Sequence, residues 1–529
     1  MFTKNHDQII GMAKGLNYWG KKLDTRRRDV AGQIADEFTN GQGISDLIAY
    51  LDANKPAKEK AEKIHAAIGP VDPEFSHTDH HYGTAPRLDG DRPAIVYAVQ
   101  NNASICDPVM KTIHQVAAEL DAEIIPCRIG YIVDKDRDSL DHVPAGTLRD
   151  PFWIGGHLVL AGDVIPTAKK PINHAKLASN GRPLTILPHT RQQAESLPRA
   201  KGSPESWAIT TGAATLPRYR QGRAGAEAHA DHALGFSIVE PDGSFRQIQL
   251  DENGIGYHAG IRFSPDGITD QSGGVLVLGD IHAEKMDHAF LAKTAELIET
   301  IKPDHIVIHD LFDMTSRNHH NRQSGIFIAS QGDRTVADDL RDAIAILDEI
   351  NCANPYSVIY VVNSNHDRAL DTWLDDPSVD PRKDAANLPL WCDLQKMRFQ
   401  IAMAGDPLPV TLESAILSLD DHGSFGDLDF SRIKFLSEDE SLIIGGIEYG
   451  QHGDRGINGA RGGYTAFEKL GSCYVIGHSH SGYKNGKRVA VAGVTGSLDM
   501  GYNKGASSWS HSHVYVGPDG IPQIVTGIK

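Results

Sequence analysis

Five strand-length apolar runs in the second half of this chain each stop on residues that bind metals, and this repeated ending restricts the fold more than any bulk property. The first is Gly274-Val-Leu-Val-Leu-Gly-Asp-Ile-His282, in which Val275 to Leu278 is too short for a helix and reads as a buried strand. Asp280 and His282 follow it one residue apart. The second, His305-Ile-Val-Ile-His-Asp-Leu-Phe-Asp313, ends on Asp310 and Asp313; the third, Tyr356 to Asp367, ends on Asn365, His366 and Asp367. The fourth runs from Ser441 to His452, and the fifth, Cys473-Tyr-Val-Ile-Gly-His-Ser-His480, ends on His478 and His480. Between the first two, Phe290, Leu291, Ala295 and Ile298 recur at roughly helical spacing within Ala283 to Ile301, and a further helix is predicted over Thr335 to Ile350. Strands alternating with helices predict βαβ units, whose sites lie at the C-terminal ends of the strands. Singly, each ending is an ordinary polar strand end; the ordered set predicts one site.

The order Asp-x-His, His-Asp-x-x-Asp, Ser-Asn-His-Asp, a lone His and Gly-His-x-His resembles the calcineurin-like metallophosphoesterase superfamily over about residues 272–515. The resemblance implies a two-metal site, with Asp280, His282 and His480 on one ion, Asn365, His452 and His478 on the other, and Asp310 bridging. It also implies that His366 is a non-ligand histidine beside the scissile phosphate and that Asp313 orients it. His309 and Ser364 stand where the pattern has glycine, which bears on turn geometry rather than on ligands. Met314 stands where many phosphatases carry arginine, which weighs against a protein phosphatase. Arg317 on the same loop is the candidate for binding a substrate phosphate, with a solvated loop arginine as the alternative. Asp, His and Asn donors without thiolate suit Mn²⁺, Fe²⁺ or Zn²⁺ better than Ca²⁺. Two divalent ions are expected, Mn²⁺ favoured, with Fe²⁺, Zn²⁺ or Mg²⁺ as the other candidates.

The expected fold class is α/β: a C-terminal metallophosphoesterase β-sandwich flanked by helices, preceded by a smaller α/β domain and an N-terminal helical segment. At 529 residues the chain is long for one core. Its predicted divisions are a helical segment at 1–66, a linker at 67–92, an accessory domain at 93–262, and the domain at 272–529 with a cap insertion at about 368–440. In the first segment Val30, Ile34 and Phe38 share a helical face. Lys21, Lys22 and Arg26 to Arg28 either touch phosphates from a helix-turn-helix-like element or decorate a helical hairpin. His77, His80 and His81 lie in the linker.

The accessory half is predicted to hold strands at Ala94 to Val99, Glu123 to Ile129, His157 to Leu160, Leu184 to Leu187 and Trp207 to Thr211, a helix at Pro108 to Leu120, and a hairpin around Asp242-Gly243. The turn after its first strand lacks a glycine fingerprint, which argues against dinucleotide binding. In texture, as in Trp207-Ala-Ile-Thr-Thr-Gly-Ala213, this half loosely resembles segments preceding the phosphoesterase domain in large-phage early proteins implicated in destroying host DNA. After His480, strands are expected at Arg488 to Ala492, Val514 to Val516 and Gln523 to Val525. His511 and His513 are a candidate for a further metal.

Five scattered cysteines without a C-x-x-C suggest free thiols in a reducing compartment. With no signal-type or membrane-length apolar run, a cytoplasmic protein is expected, in the host cytoplasm if phage-encoded. A net charge of −17 argues against a surface coated by nucleic acid but not against a local path to a metal site. The expected activity is a two-metal phosphodiesterase, with DNA as substrate, no membrane partner, and a homo-oligomer left open. The alternatives are a phosphomonoesterase or cyclic-nucleotide phosphodiesterase, and a non-catalytic scaffold.

Overall fold

The computed structural model describes residues 85–131, 146–162, 164–318, 324–419 and 428–527, with Leu47, Ile48, Leu51, Tyr82 and Pro144 besides. The expected N-terminal helices therefore lie outside the described residues except for those three helical positions, as do His77, His80 and His81. The chain divides into two compact units, Met1–His77 and Thr78–Lys529. Every strand among the described residues belongs to the second unit.

The first three of the five runs that end on ligand-type residues lie in a six-stranded sheet, and the other two in an eleven-stranded one. The order of the six-stranded sheet is Ile433–Phe435, Val358–Val361, His305–Ile308, Val275–Val277, His513–Val516 and Pro522–Val525. The first four strands are parallel, and the last two pairings, Val275–Val277 with His513–Val516 and His513–Val516 with Pro522–Val525, are antiparallel. Alternation along each strand sorts the side chains to two faces. Leu276, Ile306, Ile308, Ile359 and Val361 pack beneath helices His288–Ile301 and Val336–Ala353. Val275, Val277, Val307 and Val514 join the core of the eleven-stranded sheet. Both helices start at local signals. Asp287 accepts from Ala289 and Phe290 N–H, and Thr335 and Asp338 form a capping box.

The eleven-stranded sheet crosses the boundary expected near residue 262. Phe152–Ile154, His157–Val159, Leu184–Leu187, Gln193–Ser196 and Trp207–Thr210 come from the accessory half, and Gln193–Ser196 pairs antiparallel with Tyr483–Asn485 from the second half. At this joint Gln193 Nε2 donates to Asn485 Oδ1 at 2.8 Å, and the buried Lys484 ammonium donates to Gln192 and Gln523 side chains. Apolar edge surface and polar pairs of this kind hold the two halves as one sandwich. A smaller sheet of Phe245–Leu250, Leu234–Val239, Ala94–Gln100 and Glu123–Ile129 carries helix Asp107–Leu120, and its hairpin turns at Asp242-Gly243 as the sequence predicts.

One expectation is corrected. Ser441 to His452 is not one strand but a tight hairpin, Ile443–Ile444 against Ile447–Glu448, because Gly445 and Gly446 take φ of 59° and 82°, as a primed turn needs. The insertion expected at about 368–440 holds regular structure among its described residues. It supplies helices Ala369–Asp375, Leu388–Ala404 and Thr411–Ser418 and the edge strand Ile433–Phe435. Leu370, Trp373, Leu394, Leu412 and Ile416 sink into the core under the six-stranded sheet. Among the described residues no helix is long and apolar enough to cross a membrane, and no disulfide joins the five cysteines.

Candidate metal centre

Parallel pairing does not stop where the strands do. Ile281 N–H donates to His309 O, His282 N–H to Asp310 O at 2.7 Å, and Gly477 N–H to His452 O, so the strand-end loops are stacked on one another. Two glycines make the stacking close enough. A Cβ on Gly279 would lie 2.7 Å from Val494 backbone, and one on Gly477 would lie 2.2 Å from Asp280 Oδ1. Each therefore stands where only a hydrogen fits. The turns that result place His282, Asp310, Met314, His478 and His480 at φ between 46° and 71°. Left-handed backbone costs a non-glycine residue roughly 1–3 kcal/mol, and such residues persist where surrounding structure imposes them, commonly at functional sites.

Side chains converge from these turns in two groups that share Asp310. In the first, Asp280 Oδ2 lies 3.2 Å from His480 Nε2, His480 Nε2 lies 3.0 Å from His282 Nε2, and Asp310 Oδ2 lies 3.6 Å from His282 Nε2. In the second, Asp310 Oδ1 lies 3.4 Å from His452 Nε2, and Asn365 Oδ1 lies 3.1 Å from both His452 Nε2 and His478 Nδ1. The residues singled out in the sequence thus meet, and the two oxygens of Asp310 are divided between the groups.

Asp280, His282, Asp310 and His480 are buried and close enough to hold a metal ion. Their chemistry fits one. All four carboxylate oxygens of Asp280 and Asp310 are buried without a well-formed hydrogen bond, a costly condition that a bound cation relieves. His282 donates from Nδ1 to Asp313, so its Nε2 presents a lone pair toward His480. Burial opposes charge on Asp310, but His452, His366 and the other imidazoles outweigh it and hold this carboxyl well below its usual range.

His366 stands apart from both groups. Its Nδ1 meets Asp313 Oδ1 at 2.5 Å and its side chain remains 22% exposed. Burial works against the imidazolium, but Asp310 and Asp313 overcome it and raise the pKa to about 10. His282, Asp313 and His366 also come close enough to hold an ion. Asp313, however, already receives three donors: both histidines, and Lys285 Nζ at 2.7 Å. Hydrogen bonding accounts for that trio without a metal.

Residues outside the sequence motifs complete the site. Glu284, partly buried, accepts from Asp313 and Thr315 N–H and holds the turn at Met314. Lys285 sits beside it on the turn of Ala283–Lys285. Neither has a motif; nearness to Asp280 and His282 was their one signal. Ser364, where glycine was expected, bonds Asp367 through both its hydroxyl proton and its acceptor, and Asp367 in turn accepts from Phe312 N–H. Asp367 is thereby a loop clamp.

Arg317 is not placed for substrate. Its Nε and Nη2 fork the Asp384 carboxylate at 2.6 and 3.0 Å, and Nη1 donates to Ser316 O, because a buried planar fork finds its carboxylate partner in the inserted helices. His511 and His513 do not form a further metal site. His513 lies buried between Gly279 N–H and Thr294 Oγ1, His511 donates to Gly496 O, and both rings stack on Phe290.

The chain is 34% identical to Protein A1 of Escherichia phage T5 across 96% of its own length and 95% of that protein's. No family model matches the sequence, and no solved structure matches.

Proposed function

The chain belongs to the family of the phage T5 Protein A1, and from that premise and the centre's geometry we propose that it is a two-metal phosphodiesterase of the calcineurin-like type, acting on DNA. The observation that carries the reading is the division of Asp310, one oxygen toward His282 and His480 and the other toward His452. A carboxylate shared in this way is what a bridging ligand requires. Asp280, His282 and His480 would hold one ion, and Asn365, His452 and His478 the other. A pair of divalent ions, Mn²⁺ favoured, supplies an activated nucleophile and neutralises charge on an in-line phosphoryl transfer.

The chain's own residues supply the rest. Asp313 accepts a hydrogen bond from Nδ1–H of His366, which fixes the orientation of the ring. With Nδ1 engaged by Asp313, Nε2 is the ring atom left to pass a proton to the leaving oxygen. Lys285 balances the charge on Asp313. DNA as substrate is supported by the resemblance in texture of the accessory half to segments of large-phage early proteins implicated in destroying host DNA.

The test is turnover by metal-stripped full-length protein before and after Mn²⁺ addition. Substrates are bis(p-nitrophenyl) phosphate, p-nitrophenyl phosphate, and linear and circular DNA. Diester and DNA cleavage restored by Mn²⁺ is expected. Full activity in EDTA would overturn the metal reading, and preference for the monoester would favour a phosphomonoesterase.

A further inference from the structure

On the His366 side of the centre lies a cavity of about 800 Å³, lined among others by Lys285, Phe327, His366, Met500, Tyr502 and Lys504. A lone phosphate fills only a small part of it; cavities of roughly 300–1,000 Å³ take organic ligands. Tyr502 is the notable wall. It is 47% exposed, its ring centre lies 6.2 Å from that of His366 with the planes 31° apart, and Lys285 Nζ stands 4.9 Å from its centroid.

The ring is held in place. Trp509 contacts it at 5.7 Å and itself abuts His480 at 4.1 Å, while the Tyr502 hydroxyl donates to Met500 Sδ. The segment carrying it is braced by Asn503, which accepts from Met500 N–H and donates to Leu498 O. A phenol turned to a thioether offers its face to a ligand rather than its hydroxyl. Lys504, exposed two residues on, places an ammonium at the same cavity in a chain of net charge −17.

Exposed aromatic faces beside ammonium groups are the combination by which single-stranded nucleic acid is held, base on ring and phosphate on cation. We propose, resting on the phosphodiesterase reading, that this cavity receives the nucleoside carried on the leaving oxygen. Its base lies against Tyr502, with Phe327 on the cavity wall, and its next phosphate meets Lys504. His366 lines the same cavity, so the group that meets the leaving oxygen and the groups that recognise the leaving nucleoside share one space. Tyr502 and Lys504 are then specificity residues for a nucleotide strand.

The experiment uses the full-length protein with Mn²⁺ and the dinucleotide d(TpT), which has one scissile bond, beside its two analogues lacking one base. Tyr502→Ala is expected to lower kcat/KM on d(TpT) about tenfold, the loss of one stacked base, and Tyr502→Phe to recover it. One abasic analogue should cost wild type a similar factor, with little further loss when combined with Tyr502→Ala. Losses that multiply, or an equal loss on both analogues, would overturn the assignment. Lys504→Ala should flatten the salt dependence of KM for a trinucleotide by about one phosphate contact; an unchanged slope counts against it. Fluorescence anisotropy of labelled forms of the same ligands in EDTA reads base-dependent binding without turnover. A protein that cleaves no diester but loses base-dependent binding in Tyr502→Ala would retain the cavity assignment and lose the enzymatic one. Binding indifferent to the base would sink the cavity assignment whatever the turnover.

Discussion

Oδ1 of Asp313 lies 2.8 Å from Nδ1 of His282, and the same oxygen meets His366. One carboxylate therefore orients a residue in the Asp/His cluster and the histidine outside it. Asp313→Asn should lower turnover and also weaken metal affinity, by the 10–100-fold typical when a group orienting a ligand is altered. Mn²⁺ titration and metal content after dialysis read the second effect. Wild-type affinity with slowed turnover would mean that Asp313 serves His366 alone.

His366 separates binding from chemistry. His366→Ala should retain wild-type metal content and lose rate by roughly 10²–10⁴-fold, the range for a general acid or base. Loss of metal would make His366 a ligand, and a near-normal rate in a folded, metal-loaded variant would remove it from the mechanism.

Asp310 faces both groups, whereas His282 faces one. Elemental analysis should find Asp310→Ala depleted of all bound metal and His282→Ala depleted of part. Two ions retained in Asp310→Ala would contradict the bridging assignment.

Lys484 gives a pH signature of folding. Burial pushes its ammonium down from 10.5 to about 7. Below pH 7 it is protonated whether folded or unfolded, and the cost of burying the charge is fully present. Between 7 and 10.5 the unfolded chain keeps the proton and the folded chain does not. Stability should therefore rise with pH across that window by up to about 1.4 kcal/mol per unit, then level off. Urea midpoints at pH 7 and 9 should show the rise in wild type and a flatter response in Lys484→Met. An equally steep rise in the variant would assign the effect to another group.

Much of the site was legible before any coordinates. β-branched runs too short for helices and the Asp242-Gly243 turn are local patterns, and local sterics and hydrogen bonding determine element type. Asp280, His282, Asp310, Asn365, His452, His478 and His480 sit at strand ends of parallel or neighbouring strands, so pairing alone gathers them. Arg317 was misplaced because a loop arginine carries no mark of its partner, and Asp384 lies 67 residues away. The joint between Gln193–Ser196 and Tyr483–Asn485, the three donors on Asp313, and Tyr502 beside His366 were decided only in three dimensions. Each depends on which surfaces meet across hundreds of residues, and burial selects such partners by shape and unsatisfied polarity, which no neighbouring residue encodes.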